Sequence, residues 1–443
     1  MSLLYCGIDM FIYLKTSYKL SKTMYKLLHL LKKISFLAFV LLISCNGEKP
    51  NGEKPKDEKQ ELTTEQKADK LHEEILTLDS HVDTPLMFSR DEFDIGEYNE
   101  IGKLDFPRMK EGGLDAAFFA VFIGQGPRTP EGYATAKRRA FDIVDQIHKV
   151  VEENSDVAGL ALTSDDAYRL KKEGKRAIYI GLENGYPIGY DLSILQRFYD
   201  KGARYLGLVH SHNNHMSDSS SDRTGEEHGG LSEFGKEVIK ELNRLGMMVD
   251  VSHMSDKATY DAIKVSKAPV VASHSNVKAL CDIHRNLDDG LIKAIAENGG
   301  VVQLCLLTVY VKETAPNPQR DSAIAVLRER YPTRENLSDE DLRNVRNEWA
   351  MINEKFPREL ATVSDLIDHV DYIRDLVGID YIGIGSDFDG GGALEDCFDV
   401  SEMKNITIEL LRRGYSNEEI EKIWSGNFMR VFREVERIAQ KLN

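Results

Sequence analysis

Histidines and carboxylates stand at the ends of several short apolar runs in this sequence of 443 residues. The first run ends in His81 and Asp83, whose side chains would point the same way on a β-strand. Five later runs end in further residues that can bind a metal ion or move a proton, namely Glu183, His210, His253, His274 and Asp387. One such residue is more often a hydrogen-bonded loop side chain or a helix cap, but six such runs are hard to obtain by chance. Imidazoles and carboxylates without cysteine indicate a hydrolytic zinc site.

The runs that carry these residues alternate with longer amphipathic stretches from residue 61 onwards. They cover residues 75–83, 114–123, 177–185, 203–211, 247–254, 268–275, 299–307 and 381–390. Their continuous hydrophobicity is typical of strands that are covered on both faces, as in a parallel sheet. Helix signals lie between them, such as Thr129 before Pro130, Ser255, and Ser416 with Glu419 three residues later.

Eight strands that alternate with helices predict an α/β fold of the (β/α)8 TIM-barrel type, whose carboxyl strand ends meet at one mouth. An open doubly wound sheet is the alternative, but no GxGxxG follows the first run. Residues 312–360, between the seventh and eighth runs, are long, charged and partly helical. We expect a helical insertion on the loop face, and both a lid and a plain surface excursion are open.

Composition narrows the class of protein. Hydrophobic residues make up 42% and charged residues 29% of the chain, so a sizeable core is expected. The net charge of -16 argues against nucleic acid as a partner, because phosphate binding needs clustered Lys and Arg. Five scattered cysteines without a CxxC argue against a disulfide framework and against a cysteine-based zinc site.

The N-terminal part is typical of a targeting segment. Residues 26–45 have a basic start and an apolar stretch, residues 34–43, that is short for a membrane span, so they predict a secretory signal. The residues before Cys45 resemble a bacterial lipoprotein signal, in which Cys45 would carry a lipid; an ordinary signal peptide is the alternative. Residues 1–23 could be a mis-assigned start. Residues 46–60 are expected to be a flexible polar tether, followed by one barrel domain over residues 61–443.

Several longer motifs resemble the membrane dipeptidase family, also called renal dipeptidase, of zinc metallopeptidases. In chain order they are DSHVDTP, GLENG, RYLGLVHSHNN, LNRLGMMVDVSH, VVASHS, HRNLDD, IGIGSDFDG and GNFMRVF. The resemblance implies a (β/α)8 barrel with two zinc ions per chain, which activate a bridging water to hydrolyse dipeptides that have a free C-terminal carboxylate. It also implies a possible homodimer, and the lipid would make the protein an exported, membrane-anchored lipoprotein that faces the periplasm or the cell surface.

The same resemblance implies a role for each matching residue. His81 and Asp83 would bind one zinc ion, His253 and His274 would bind the other, and Glu183 would bridge the pair. The substrate would be contacted by His210, Arg285, Tyr310 and Asp387. Of these, His210 would stabilise the transition state, Arg285 would bind the terminal carboxylate and Asp387 would transfer protons. The sequence around Tyr310 departs from the family pattern.

The same pattern of histidines and carboxylates is also compatible with other functions. An N-acyl amino acid deacylase, or a hydrolase of β-lactam rings and similar amides, could be built on the same site with a different pocket. A tethered binding protein that has lost activity would be expected to lack metal ligands, yet every expected position is filled. Manganese or cobalt would also suit these ligands.

Overall fold

Eight parallel strands form the wall of a nearly closed barrel in the computed structural model, which describes residues 61–331 and 339–443. With one further strand outside the wall, the sheet has nine strands, in chain order β1 (Leu78–Val82), β2 (Ala116–Phe122), β3 (Ala158–Leu160), β4 (Arg176–Glu183), β5 (Ala203–Gly207), β6 (Met248–Asp250), β7 (Val271–Ala272), β8 (Val301–Leu304) and β9 (Ile382–Ile384). The order around the barrel is β1-β2-β4-β5-β6-β7-β8-β9. The predicted (β/α)8 barrel is confirmed, and the open-sheet alternative is wrong.

Strand β3 lies outside this order and was not predicted. It pairs only with Arg176–Ile178 of β4, whereas β5 pairs with β4 from Ile180 onwards. Three residues are too few to produce a recognisable periodicity. Because β3 takes no position in the wall, the predicted number of barrel strands is unaffected.

The barrel closes between β1 and the segment that follows β9. The backbone N–H of Asp387 donates to the carbonyl oxygen of His81 at 2.9 Å, and that of Asp83 donates to Phe388 at 2.7 Å. A parallel bridge between Val82 and Phe388 accompanies these bonds. Strand pairing alone therefore brings His81, Asp83 and Asp387 to the same rim.

The helices connect the strands and cover the barrel. They are α1 (Thr64–Glu74), α2 (Phe106–Gly112), α3 (Pro130–Glu153), α4 (Asp166–Lys172), α5 (Ser193–Asp200), α6 (Glu233–Leu245), α7 (Asp256–Val265), α8 (Asp289–Glu297), α9 (Thr308–Val311), α10 (Pro318–Arg330), α11 (Asp339–Lys355), α12 (Val363–Val377), α13 (Lys404–Arg412), α14 (Asn417–Glu421) and α15 (Asn427–Leu442). The predicted caps are confirmed, since the side chains of Thr129, Ser255 and Ser416 each accept a bond from a backbone N–H of the first turn.

The last helical segment, which begins after Ser416, contains a turn of a different helix type. A π-helical turn, Lys422–Gly426, separates α14 from α15. Buried side chains at this turn make specific bonds: Trp424 donates to the hydroxyl of Thr407 at 2.7 Å, and Asn427 donates to two carbonyl oxygens near β9. These tertiary contacts accompany the local change from α-helical to π-helical hydrogen bonding.

An aromatic stack lies beneath the rim. Phe118 of β2 stacks on Tyr179 and Tyr205, with ring centroids 4.6 and 5.3 Å apart, and Phe428 of α15 packs edge-on against Phe118. Gly181 of β4 makes room for this stack, because a Cβ atom there would come within 2.0 Å of the Tyr205 ring. The stack closes the barrel below the rim and keeps water out from that side.

Helices α10 and α11 form the helical part of the predicted insertion over residues 312–360. Ile324, Leu327 and Ile352 pack together in a small apolar cluster of their own, apart from the barrel core. Residues 332–338 lie outside the described part of the chain. A role as a lid stays a prediction.

The predicted signal segment, Cys45 and the polar tether also lie outside the described residues, and the domain boundary near residue 61 stays a prediction. Within residues 61–331 and 339–443, no helix combines the length and hydrophobicity that crossing a membrane requires.

Candidate metal centre

Seven side chains from six barrel strands meet at the carboxyl rim. They are His81 in β1, Asp83 after β1, Glu183 at the end of β4, His210 after β5, His253 after β6, His274 after β7 and Asp387 after β9. Six of them are at most 8% exposed, whereas the His210 side chain is 26% exposed. The rim therefore holds a buried polar cluster with one more open member.

The carboxylate of Glu183 lies between two sets of imidazoles. Its Oε2 is 3.6 Å from Nε2 of His81. Its Oε1 is 3.0 Å from Nε2 of His253, 3.6 Å from Nε2 of His274 and 3.8 Å from Nε2 of His210. Each oxygen of this one carboxylate thus faces different ring nitrogens.

The donor atoms of this cluster suit metal ions. Three groups each have one ligand atom per residue within 4.8 Å of one another, namely His81, Glu183 and His274; Glu183, His210 and His253; and His81, Asp83 and Asp387. Nε2 of His81 and Oδ1 of Asp83 are buried without a hydrogen-bond partner. Buried polar atoms normally have partners, and a cation between them would supply one. The residues present therefore fit a metal centre with nitrogen and oxygen ligands.

The backbone at the rim adopts a conformation that is uncommon for residues other than glycine. Among the described residues, the non-glycine residues with positive φ are Asn184, His253, Asp387 and Asp389, with φ between 61° and 75°. All four are members of the cluster or lie within two residues of one. Such strain is found where the surroundings hold a functional side chain in place.

Burial and mutual charge set the protonation of the cluster. Burial raises the pKa of Asp387 to about 7, opposed by His81 and assisted by Glu183. Burial lowers the pKa of His253 and of His274 well below the usual range, so both imidazoles are neutral, as metal ligation requires. At His81 burial also disfavours the charge, but Glu183 and Asp83 overcome it and raise the pKa to about 10. A metal ion that binds Nε2 of His81 must therefore displace a proton.

Arg285 and Tyr310 lie beside this cluster. The guanidinium of Arg285 is 4% exposed and donates to the carbonyl oxygen of His274 at 3.2 Å. It also lies 5.2 Å from the centroid of the Tyr310 ring, in helix α9. Its Nε is buried without a hydrogen-bond partner. Two of the four residues named as substrate contacts on sequence grounds are therefore neighbours, and Arg285 has an unused donor.

Four further polar residues contact the cluster directly or through one hydrogen-bonded neighbour, and the sequence reasoning missed them. Sγ of Cys305 is 3.8 Å from Oδ2 of Asp387. The hydroxyl of Tyr205 is 2.8 Å from Nδ1 of His81. Asp250 and Ser273 form hydrogen bonds behind His274. The available signal was a polar residue inside an otherwise apolar run, whereas the reasoning considered only the ends of the runs.

Comparison with known proteins gives matches over the whole barrel. The family model described as membrane dipeptidase, peptidase family M19, matches residues 65–443. Dipeptidase tcpJ of Claviceps purpurea is 32% identical over 343 residues, which are 76% of this chain and 70% of that protein. Dipeptidase aclJ of Aspergillus oryzae is 30% identical over 346 residues, 77% of this chain and 72% of that protein. The crystal structure of the probable dipeptidase PvdM from Pseudomonas aeruginosa is 34% identical with a TM-score of 0.74, and covers 85% of this chain and 99% of that one.

Proposed function

The chain belongs to the membrane dipeptidase family of metal-dependent peptidases and is an enzyme that hydrolyses dipeptides, and we propose that it does so with two zinc ions at the rim. His81 and Asp83 would hold one ion, His253 and His274 the other, and Glu183 both. When bound, such a pair polarises the scissile carbonyl and activates a shared water. The observation that carries the proposal is that the two oxygens of Glu183 face different imidazoles, Oε2 facing His81 and Oε1 facing His253 and His274.

Two residues of this chain would move or donate protons. Asp387 accepts the proton of the attacking water and passes it to the leaving amine, and burial raises the pKa of this carboxyl group towards the working pH that general acid–base catalysis favours. His210 has the most exposed imidazole of the cluster, and its Nε2 lies 3.8 Å from Oε1 of Glu183. From this position it donates to the oxyanion that develops in the transition state.

Arg285 would select the substrate by its terminal carboxylate. A guanidinium presents a planar fork of donors that matches a carboxylate, and a buried cation without an anionic partner is costly. Tyr310, whose ring lies beside the guanidinium, would contact the same end of the substrate. This arrangement favours short peptides with a free C-terminus over internal peptide bonds.

Metal analysis combined with a substrate panel tests the proposal on the full-length protein. We expect two zinc ions per chain, dipeptide hydrolysis that stops on chelation and returns with zinc, and fewer than two ions in Glu183→Gln, because an amide offers one oxygen instead of two equivalent ones. Glu436→Gln is the matched control, since Glu436 is a partly buried carboxylate that pairs with Ser164 away from the rim.

The outcomes separate this proposal from its rivals. Two ions per chain in Glu183→Gln would show that the bridge is misassigned. Faster turnover of N-acyl amino acids or β-lactams than of any dipeptide would favour a deacylase or an amide hydrolase on the same site.

Membrane attachment through a lipid on Cys45 is a separate part of the proposal. Its support is the basic and apolar pattern of residues 26–45 and the polar tether of residues 46–60. The protein would then be an exported lipoprotein on a membrane surface. The homodimer stays a prediction.

A further inference from the structure

Three buried polar side chains form a line behind the rim. Oγ of Ser273 lies 2.6 Å from Oδ2 of Asp250, the last residue of β6. The same Oγ lies 2.8 Å from Nδ1 of His274. All three residues are at most 2% exposed. The line is therefore shielded from water. In such a buried environment hydrogen bonds are strong and unpaired polar groups are costly.

The chemistry of the three groups fixes the direction of the bonds. Ser273 has one hydroxyl proton, and an ionised carboxylate only accepts. Ser273 therefore donates to Asp250 and accepts from Nδ1–H of His274. The lone pair of the imidazole is then on Nε2, which faces Oε1 of Glu183 at 3.6 Å. This is the tautomer that a metal ligand at Nε2 needs.

Asp250 is held in its buried position by hydrogen bonds. Its Oδ1 accepts from the backbone N–H groups of Ser252 at 3.0 Å and Ser273 at 2.9 Å. Asp250 is 2% exposed, and burial raises its pKa, while hydrogen bonds from Ser273 and Ser252 and the charge of His81 oppose this shift. A buried charge needs a counter-charge, and cations at the rim would provide one through the hydrogen-bonded line.

We propose that Asp250 is a positioning residue of the metal centre, which acts through Ser273 on His274. The inference rests on the metal-binding role proposed above for His274. Metal-ligating histidines commonly donate their second N–H to a carboxylate, and here a serine hydroxyl is inserted between the two. The line keeps the His274 ring in one orientation and one tautomer, and it strengthens Nε2 as a ligand.

The two proposed metal positions differ in this respect. Nδ1 of His81 lies 2.8 Å from the hydroxyl of Tyr205. Its second partner is thus a phenol, whereas that of His274 is linked to a carboxylate. Loss of the line should therefore weaken one of the two ions more than the other.

A zinc titration by chelator competition on the full-length protein tests the inference. Ser273→Ala should raise the dissociation constant of one zinc ion by roughly tenfold to a hundredfold and leave the other nearly unchanged. Asp250→Asn should act in the same direction, and the double variant should be no weaker than the weaker single variant, because both remove one line. The matched control is Ser164→Ala, which removes a hydroxyl-to-carboxylate bond of the same 2.6 Å length from a serine that is 2% exposed and remote from the rim.

The thermal midpoint of the metal-free protein separates positioning from general stability. We expect Ser273→Ala and Ser164→Ala to lower this midpoint by similar amounts, while only Ser273→Ala weakens zinc binding. If Asp250→Asn does not fold, the comparison of Ser273→Ala with Ser164→Ala still tests whether the line positions His274. If Ser273→Ala binds zinc as tightly as the control, the positioning role of Asp250 and Ser273 is refuted and the proposed function is unaffected. If the wild-type protein binds no metal, both the positioning role and the proposed function are refuted.

Discussion

Asp387 has a buried carboxylate whose pKa is raised to about 7 by burial, with Glu183 adding to the effect. A protonated carboxyl group cannot accept the proton of the attacking water. We therefore expect kcat/KM to fall by about tenfold per pH unit on the acid side. Bound cations favour the carboxylate, so this acid limb should lie at or below pH 7. A profile of kcat/KM between pH 5 and 9 measures it.

Substitution of Asp387 tests whether this residue causes the acid limb of the pH profile. Asp387→Asn should lower kcat by roughly a hundredfold or more, with a smaller change in KM, and the acid limb should disappear. Asp389→Asn is the control, because Asp389 shares the positive φ and is half-buried, but bonds to Thr84 and Lys103 instead of facing the cluster. An acid limb that persists in Asp387→Asn would exclude this carboxylate as the base.

The sequence predicts a residue best where its type and its position agree. His81 and Asp83 were found because both lie at the end of an apolar run and both can bind metal. Asp250 and Ser273 were not found, because neither type is diagnostic and their bonds join two strands that the sequence cannot align. Pairing across strands is a property of the folded barrel, and only coordinates supply it.

At the scale of elements, the apolar runs predicted the barrel because parallel strands are buried on both faces. The predicted runs were longer than the strands: residues 203–211 were predicted, whereas β5 is Ala203–Gly207. Leu208 and Val209 are just as buried, but they lie beyond the paired strand and lead the chain to His210. Hydrophobicity reports burial and not backbone pairing, so the strand ends could not be placed more closely.

The insertion offers a test at this scale, because its apolar cluster is separate from the barrel core. Leu327 of α10 is 2% exposed, and Leu327→Ala should cost about 2–5 kcal/mol of local stability. We expect faster amide hydrogen exchange in α10 and α11 and unchanged exchange in the barrel strands. Val326→Ala, at a neighbouring position that is 54% exposed, is the control and should change neither.

Leu327→Ala and Val326→Ala also test whether the insertion acts as a lid. If the insertion acts as a lid, kcat/KM for dipeptides falls in Leu327→Ala and not in Val326→Ala; if it is a surface excursion, both variants keep wild-type activity. Faster exchange throughout the barrel in Leu327→Ala would contradict the independence of the insertion.

At the scale of the whole molecule, the family match and the predicted N-terminal signal occupy different parts of the chain. The match begins at residue 65, after residues 46–60, which were predicted to be a polar tether. If residues 46–60 form a flexible chain, as predicted, their end-to-end distance is about 20 Å. A lipid on Cys45 would thus hold the barrel close to a membrane surface without fixing its orientation, and dipeptides could still reach the rim.

Replacement of Cys45 tests this arrangement in cells of the native host or a bacterial one. Cys45→Ala removes the thiol that would be lipidated, so the protein should move from the membrane fraction to the soluble or secreted fraction, with kcat/KM for dipeptides unchanged. Cys6→Ala is the control, because Cys6 precedes the predicted signal segment and should leave the protein with the membrane. Fractionation with immunodetection, together with labelling by a radioactive fatty acid, measures both effects. Membrane association of Cys45→Ala equal to that of Cys6→Ala would rule out a lipid on Cys45 as the anchor. We expect the purified Cys45→Ala variant to keep its activity in either case, because the rim residues lie at least 36 positions further along the chain.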